Sequence, residues 1–287
     1  MNMNNIKTVM LMVLMAVIMM LIGGLVGGRT GLTVMLFFAL AMNAFSYWCS
    51  DSLVLKWSGA QEITRDEAPQ LYGLIENLAQ RDNLPMPKVC IIDADEPNAF
   101  ATGRSPEHAA VAVTTGIMRV LTYDELAGVL SHELSHVKNR DILTSTIASM
   151  MATVISYAAQ FFMFFGGSSD DDEGVNPIAA VLMMILAPLA ASIIQMAISR
   201  SREYEADKDG GALCGNPNYL ADALEKIEYY VTHSAPLPEA RPATANMYIV
   251  NPFEGTGKAI MKLFSTHPDT ADRIARLREQ AREMRVR

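Results

Sequence analysis

Apolar and polar positions fall in long blocks along this chain. Residues 8–28 carry no charge and include Val9–Ile22, an almost unbroken apolar run; residues 31–50 are uncharged again. Each block can cross a bilayer core of ~30 Å, which takes ~20 helical residues. Only Gly27-Gly28-Arg29-Thr30 separates them, so a helical hairpin is expected. The first block is too long for the apolar part of a signal peptide, lacks a clear Ala-x-Ala site and is followed by a second span. Asn43 inside the second block is a candidate polar contact between helices. Tyr47 and Trp48 near its end suit an interfacial aromatic belt.

Two further blocks come later. Leu143–Ser169 and Val175–Ser199 are free of charge, with Asp170-Asp171-Asp172-Glu173 between them. They predict a third span at about 143–165 and a fourth at about 177–198. The alternative is a pair of buried core helices in a large soluble domain. The pattern divides the chain into a membrane hairpin over 1–50, a polar part over 51–142, a second hairpin over 143–199 and a polar part over 200–287.

The polar parts have ordinary globular periodicity. Asp66–Arg81 reads as an amphipathic helix with Leu71, Leu74, Ile75 and Leu78 on one face. Lys88–Ala94 reads as a strand. Asn98–Gly103 and Ala109–Thr115 read as paired strands about a turn that holds His108, a solvated loop residue. An extended peptide can join an exposed sheet edge. Asn98–Gly103 (Asn98, Ala99, Phe100 and Ala101 above all) or Val111–Thr115 is the candidate edge; an internal hairpin is the other reading. Residues 207–233 look helical, with a weak point at Gly210-Gly211 and a break at Gly215-Asn216-Pro217. His233 ends that stretch as a helix-terminal residue. Residues 234–257 have no clear period and form a lid or a disordered loop. Asp272–Arg287 predicts a charged final helix.

The segment 122–141 carries the chemistry. Thr122 and Glu125 have capping-box spacing. Leu126, Val129, Leu130, Leu134 and Val137 recur at helical spacing. His132 and His136 are four apart and stack on one side of that helix. Two imidazoles so placed bind one metal ion, and the carboxylate of Glu133 reaches a water at that metal. This is the H-E-x-x-H pattern of zinc proteases. Zinc suits it, with three protein ligands and one open position.

The chain must supply a third ligand. After the fourth block comes Ser201-Arg202-Glu203-Tyr204-Glu205-Ala206-Asp207. Glu203 and Asp207 share a helix face, so one can coordinate the metal while the other bonds a ligating imidazole. His136 lies about seven residues before the third span and Glu203 about four after the fourth. Two crossings return the chain to the side it left, which brings Glu203 toward the histidines.

Composition narrows the function classes. The chain has 287 residues, 51% of them hydrophobic, with a net charge of −8. That balance suits membrane segments and argues against a nucleic-acid surface. Cys49, Cys90 and Cys214 are scattered, which excludes a disulfide framework. Lys7, Lys56, Arg65, Lys138, Arg140, Arg200 and Arg202 flank the segment ends on one side, with Arg29 and the acidic run on the other. The positive-inside rule places both termini and the polar parts in the cytoplasm.

His132-Glu133-Leu134-Ser135-His136, Lys138-Asn-Arg-Asp141, Glu203-x-x-Ala-Asp207, Asn98-Ala-Phe-Ala and Ser265-Thr-His-Pro268, with four apolar segments so placed, resemble the HtpX family of membrane-bound zinc metalloproteases, relatives of the CAAX prenyl endopeptidases. The resemblance implies an α+β, mostly helical fold: four transmembrane helices and a zincin-type, gluzincin-like catalytic domain with a small β-sheet. It implies one zinc ion, endoproteolysis of membrane or unfolded proteins, and stress-linked quality control in the bacterial inner membrane. In related enzymes a His and an Arg six residues on serve the oxyanion; here they match His267 and Arg273. From the residues alone, His267 is equally a helix N-terminal residue and Arg273 a salt-bridge partner. A non-hydrolytic membrane chaperone or scaffold with a structural zinc is the competing class.

Overall fold

The computed structural model describes residues 3–144, 147, 200–233 and 268–286. Helix α1 (Met3–Trp57) is one helical stretch that doubles back on itself. Gly28 sits at φ +56°, and Asn43 Nδ2 donates to the Met12 carbonyl at 3.1 Å. In a straight helix those residues would stand ~45 Å apart at ~1.5 Å per residue. The legs touch at Gly23 and Gly31, where a Cβ on Gly23 would come 2.4 Å from the Gly31 oxygen. Gly28–Phe45 is apolar and long enough to cross a membrane, and Thr8–Leu21 is a shorter apolar stretch. The expected hairpin and the Asn43 contact are therefore present. The third and fourth spans fall almost wholly outside the described residues, as do the acidic run, residues 234–257 and His267.

A four-stranded mixed sheet follows, in the order β1-β2-β4-β3. Its strands are β1 (Gln61–Glu62), β2 (Lys88–Ile92), β3 (Ala99–Gly103) and β4 (Ala109–Thr114). β3 and β4 pair antiparallel, with Ala101 opposite Val111, whereas β2 and β4 run parallel. Alternation sends Val89, Ala99, Val111 and Val113 to one face, and Cys90, Ile92, Phe100 and Ala112 to the other. Val54 and Leu55, at the end of α1, cover the second face. The apolar hairpin is thus docked on the back of the sheet through its last turns.

The first face packs on helices. Helix α2 (Pro69–Arg81) buries Leu71, Leu74, Ile75 and Leu78, the predicted face. A short α3 (Thr115–Val120), which the pattern did not predict, leads into α4 (Tyr123–Asn139). α4 has the expected capping box between Thr122 and Glu125. It is more deeply set than its apolar face suggested: every residue from Glu125 to Ser135 is buried. α2, the sheet, α5 (Arg200–Leu213) and α6 (Pro217–His233) surround it. Burying an aliphatic side chain contributes about 1.5–3 kcal/mol, so this core holds α4 firmly. Helix α7 (Thr270–Val286) packs on α5 and α6.

Candidate active site

α4 presents both histidines to one point. His132 Nε2 and His136 Nε2 are 3.2 Å apart. Glu203 comes from α5, with its oxygens 3.8 Å from His132 Nε2 and 3.5 Å from His136 Nε2. Among the described residues, these three form the group able to hold a metal, with all ligand atoms within 4.8 Å of one another. Tetrahedral bonds of ~2.0–2.1 Å separate neighbouring ligand atoms by ~3.3 Å, and the observed distances cluster about that value. The site is buried, with His132 and Glu203 at 1% and 3% exposure.

The electrostatics ask for a cation. His136 Nδ1 lies 3.2 Å from Asp141 Oδ2, and His132 Nδ1 lies 3.0 Å from Asp207 Oδ1. The second contact is close in distance but oblique in angle, because Nδ1 of His132 makes no full hydrogen bond. Carboxylates behind both rings favour the proton on Nδ1, which leaves both Nε2 lone pairs aimed at each other beside the Glu203 carboxylate. Three electron-rich groups converging in a buried pocket fit a divalent metal. Burial pulls His136 down, but the Asp141 hydrogen bond and the charges of Glu203, Glu133 and Asp141 outweigh it and raise the imidazole to about 9.

Asp207, the expected partner of a ligating imidazole, has its Oδ1 beside the ring of His132. Arg273 is buried at 1% exposure and grips Asp207 through Nε (2.8 Å) and Nη2 (2.7 Å). Burial pushes Asp207 up, yet the Arg273 charge and hydrogen bonds hold it at about 2. The ion-pair reading of Arg273 is therefore the one seen.

α5 reaches the ligands along one face. Glu203, Asp207 and Gly210 recur at helical spacing. Gly210 is not a weak point: the helix runs through it to Leu213. A Cβ there would stand 2.7 Å from the backbone N of His132. The missing side chain lets α5 lie directly on α4 at His132.

Glu133 is 8% exposed, and its Oε2 accepts the Ala101 backbone N–H at 2.9 Å. β3 is the outer strand of the described sheet, which selects Asn98–Gly103 over Val111–Thr115 as the edge. Asn98 pairs with Thr114 through its carbonyl (2.9 Å) and its N–H (3.0 Å to Oγ1). By alternation, Ala99, Ala101 and Gly103 direct their backbone polar groups outward. The Phe100 side chain points to the α1 side of the sheet, away from the His132, His136 and Glu203 cluster. His108 is exposed and bonds Ser105, and His233 is exposed and stacks on Tyr229.

Two site residues escaped the sequence reading, Asp141 and Arg202. Their signal was available: each is a charged residue close to one end of the 142–199 stretch, whose two apolar blocks carry no charge of their own.

The model of peptidase family M48 matches residues 65–281. Proteins named Protease HtpX homolog, from Burkholderia multivorans and Burkholderia ambifaria, are 54% identical over 283 residues, covering 97% of this chain and 98% of theirs. The crystal structure of Ste24p from S. mikatae aligns with a TM-score of 0.50 at 20% identity over 85% of this chain. The chain spans 57% of the length of that structure, and the likeness is one of fold.

Proposed function

We propose that this chain, which belongs to peptidase family M48 and is a metalloendopeptidase, uses one zinc ion held by His132, His136 and Glu203 to cut membrane or unfolded polypeptides. The single observation that carries the reading is the convergence of two imidazoles and one carboxylate beside Glu133 and the open edge of β3. Bound zinc would supply a Lewis acid for the scissile carbonyl and a water of lowered pKa.

The chain does the rest. A substrate strand adds to β3 through Ala99, Ala101 and Gly103, which lays its backbone across α4. Glu133 takes a proton from the attacking water and returns it to the leaving amine. Asp207 and Arg273 hold His132. We assign His267 as a donor to the developing oxyanion. Arg273 joins it through the part of its guanidinium that does not hold Asp207.

The remaining assignments concern place and substrate. The reading has four spans, with both termini and the catalytic parts at the cytoplasmic face of a bacterial inner membrane. The bilayer is its neighbour, and nucleic acid is not a partner. Misfolded or damaged membrane proteins are the substrates, in a quality-control role. Support comes from the apolar hairpin docked on the sheet and from the similarity to proteins named Protease HtpX homolog. The test is zinc analysis of the purified chain alongside casein-type cleavage, with and without chelator. Metal-dependent cutting is expected; full cutting by metal-free protein would overturn the reading.

A further inference from the structure

His136 is held from behind by two residues outside the ligand motifs. Asp141 Oδ2 lies 3.2 Å from its Nδ1, and Asp141 Oδ1 accepts from Arg202 Nη1 at 3.1 Å. Both are buried, Asp141 at 4% and Arg202 at 8% exposure. The geometry repeats what Arg273 and Asp207 do behind His132. Each imidazole has its own carboxylate, and each carboxylate its own buried arginine.

Local structure explains the placement. α4 ends at Asn139, and Arg140 turns left-handed at φ +60°. That turn swings Asp141 back over the last turn of α4, toward His136. Arg202 is the third residue of α5 and immediately precedes Glu203. The pair therefore closes the two mouths of the segment between them, at the point where a ligand leaves on one side and another arrives on the other. Arg202 is not placed there for a dense hydrogen-bond network. Among the described residues, its buried Nε and Nη2 have no hydrogen-bond partner. A buried cation so poorly satisfied is costly, and its bond to Asp141 is the interaction that offsets the cost.

We propose that Asp141 and Arg202 are positioning residues of the metal centre: Asp141 keeps His136 in the Nδ1–H form that offers Nε2 to the metal, and Arg202 keeps Asp141 turned that way while setting Glu203 beside it. The inference rests on the metal site proposed above. It has a consequence that a simple stabilising ion pair lacks. In Asp141→Asn, the carboxamide oxygen stays on Arg202, because its NH2 cannot face a guanidinium. The NH2 then faces His136 Nδ1 and makes it an acceptor, which moves the imidazole proton to Nε2 and blocks the metal. In Asp141→Asn/Arg202→Met, the guanidinium no longer draws the carboxamide oxygen away from His136, and the oxygen can face Nδ1.

The experiment uses the full chain in detergent. Zinc affinity is measured by chelator competition, and the coordination sphere is read from the visible spectrum of bound Co2+. Asp141→Asn is expected to weaken zinc binding by about 10–100-fold and to alter the Co2+ spectrum. Adding Arg202→Met is expected to recover part of the affinity. Asp141→Asn binding like the parent, or a double variant no tighter than the single one, overturns the inference. If Asp141→Asn does not fold, Asp141→Glu is read in the same way: a displaced acceptor should change the Co2+ spectrum, and an unchanged spectrum overturns the inference. A parent chain that takes up no metal would defeat the proposed function instead.

Discussion

The backbone N–H of Ala101 donates to Oε2 of Glu133 at 2.9 Å. The outward edge of the sheet and the carboxylate next to the metal ligands are thus one hydrogen bond apart. Any strand that joins β3 must share this contact, which places its peptide groups at Glu133 without further adjustment. Proximity of this kind is what converts binding into catalysis.

Glu133→Gln keeps the size of the side chain and removes its basicity. Zinc content should be unchanged, while kcat falls by about 10²–10⁴-fold, the usual contribution of a positioned base. Metal analysis and casein cleavage on the same preparation check both halves. Cleavage at the parent rate would remove Glu133 from the mechanism.

Glu203→Ala deletes one of three ligands. The two histidines stay on α4, whose position is set by its buried core rather than by the metal. The fold should survive, with the metal bound far more weakly. Circular dichroism and zinc titration separate the two effects, and stoichiometric zinc in this variant would refute the ligand assignment.

Gly210→Ala tests the close approach of α5 to α4. Its Cβ would meet the N and Cα of His132 at 2.7 and 2.8 Å, backbone atoms that cannot step aside. α5 must move outward and carry Glu203 with it. A loss of about 1–3 kcal/mol in stability is expected for overpacking, with weaker zinc binding. Thermal unfolding and zinc titration read the two together.

Arg273→Lys keeps a charge but cannot bind Asp207 through two parallel bonds. If Arg273 acts mainly by holding Asp207, zinc affinity falls along with kcat. If it acts mainly on the oxyanion, kcat falls while zinc affinity stays. The buried bidentate contact favours the first outcome.

Glu125 gives a pH dependence. Burial raises its pKa, but the Lys226 bond and the Thr122 cap outweigh it, so the folded value lies below the ordinary one. A depressed carboxylate stabilises the fold above its unfolded pKa of ~4.3 and loses that contribution as pH falls through the folded value. Glu125→Gln should therefore lower the unfolding temperature at pH 7. The difference from the parent should shrink on acidification below pH ~4. A gap that persists there would show that the charge is not the cause.

Much of this was legible in local pattern. The capping box, the faces of α2 and α4, the hairpin in α1 and the pairing of His132 with His136 all depend on spacings within one element, where 3.6-residue periodicity and cap chemistry act directly. Asp207 was legible too, because it lies one turn from Glu203. The short α3 was not, since six residues carry too little period to reveal a helix. Arg273 was legible only as a choice between two roles, and its contact with Asp207 came from the structure.

By itself, then, the order of residues determined which pair of histidines could share a metal and which segments are apolar enough to cross a membrane, because each property belongs to a single helix. Only the tertiary structure decided that Glu203 stands 3.5 Å from His136, that β3 rather than β4 is an outer strand of the described sheet, and that Asp141 and Arg202 meet across 61 residues. Those facts depend on which elements pack against which. Contacts between distant parts leave no period in the sequence; they arise from burial and close approach, as where Gly210 lets one helix rest on another.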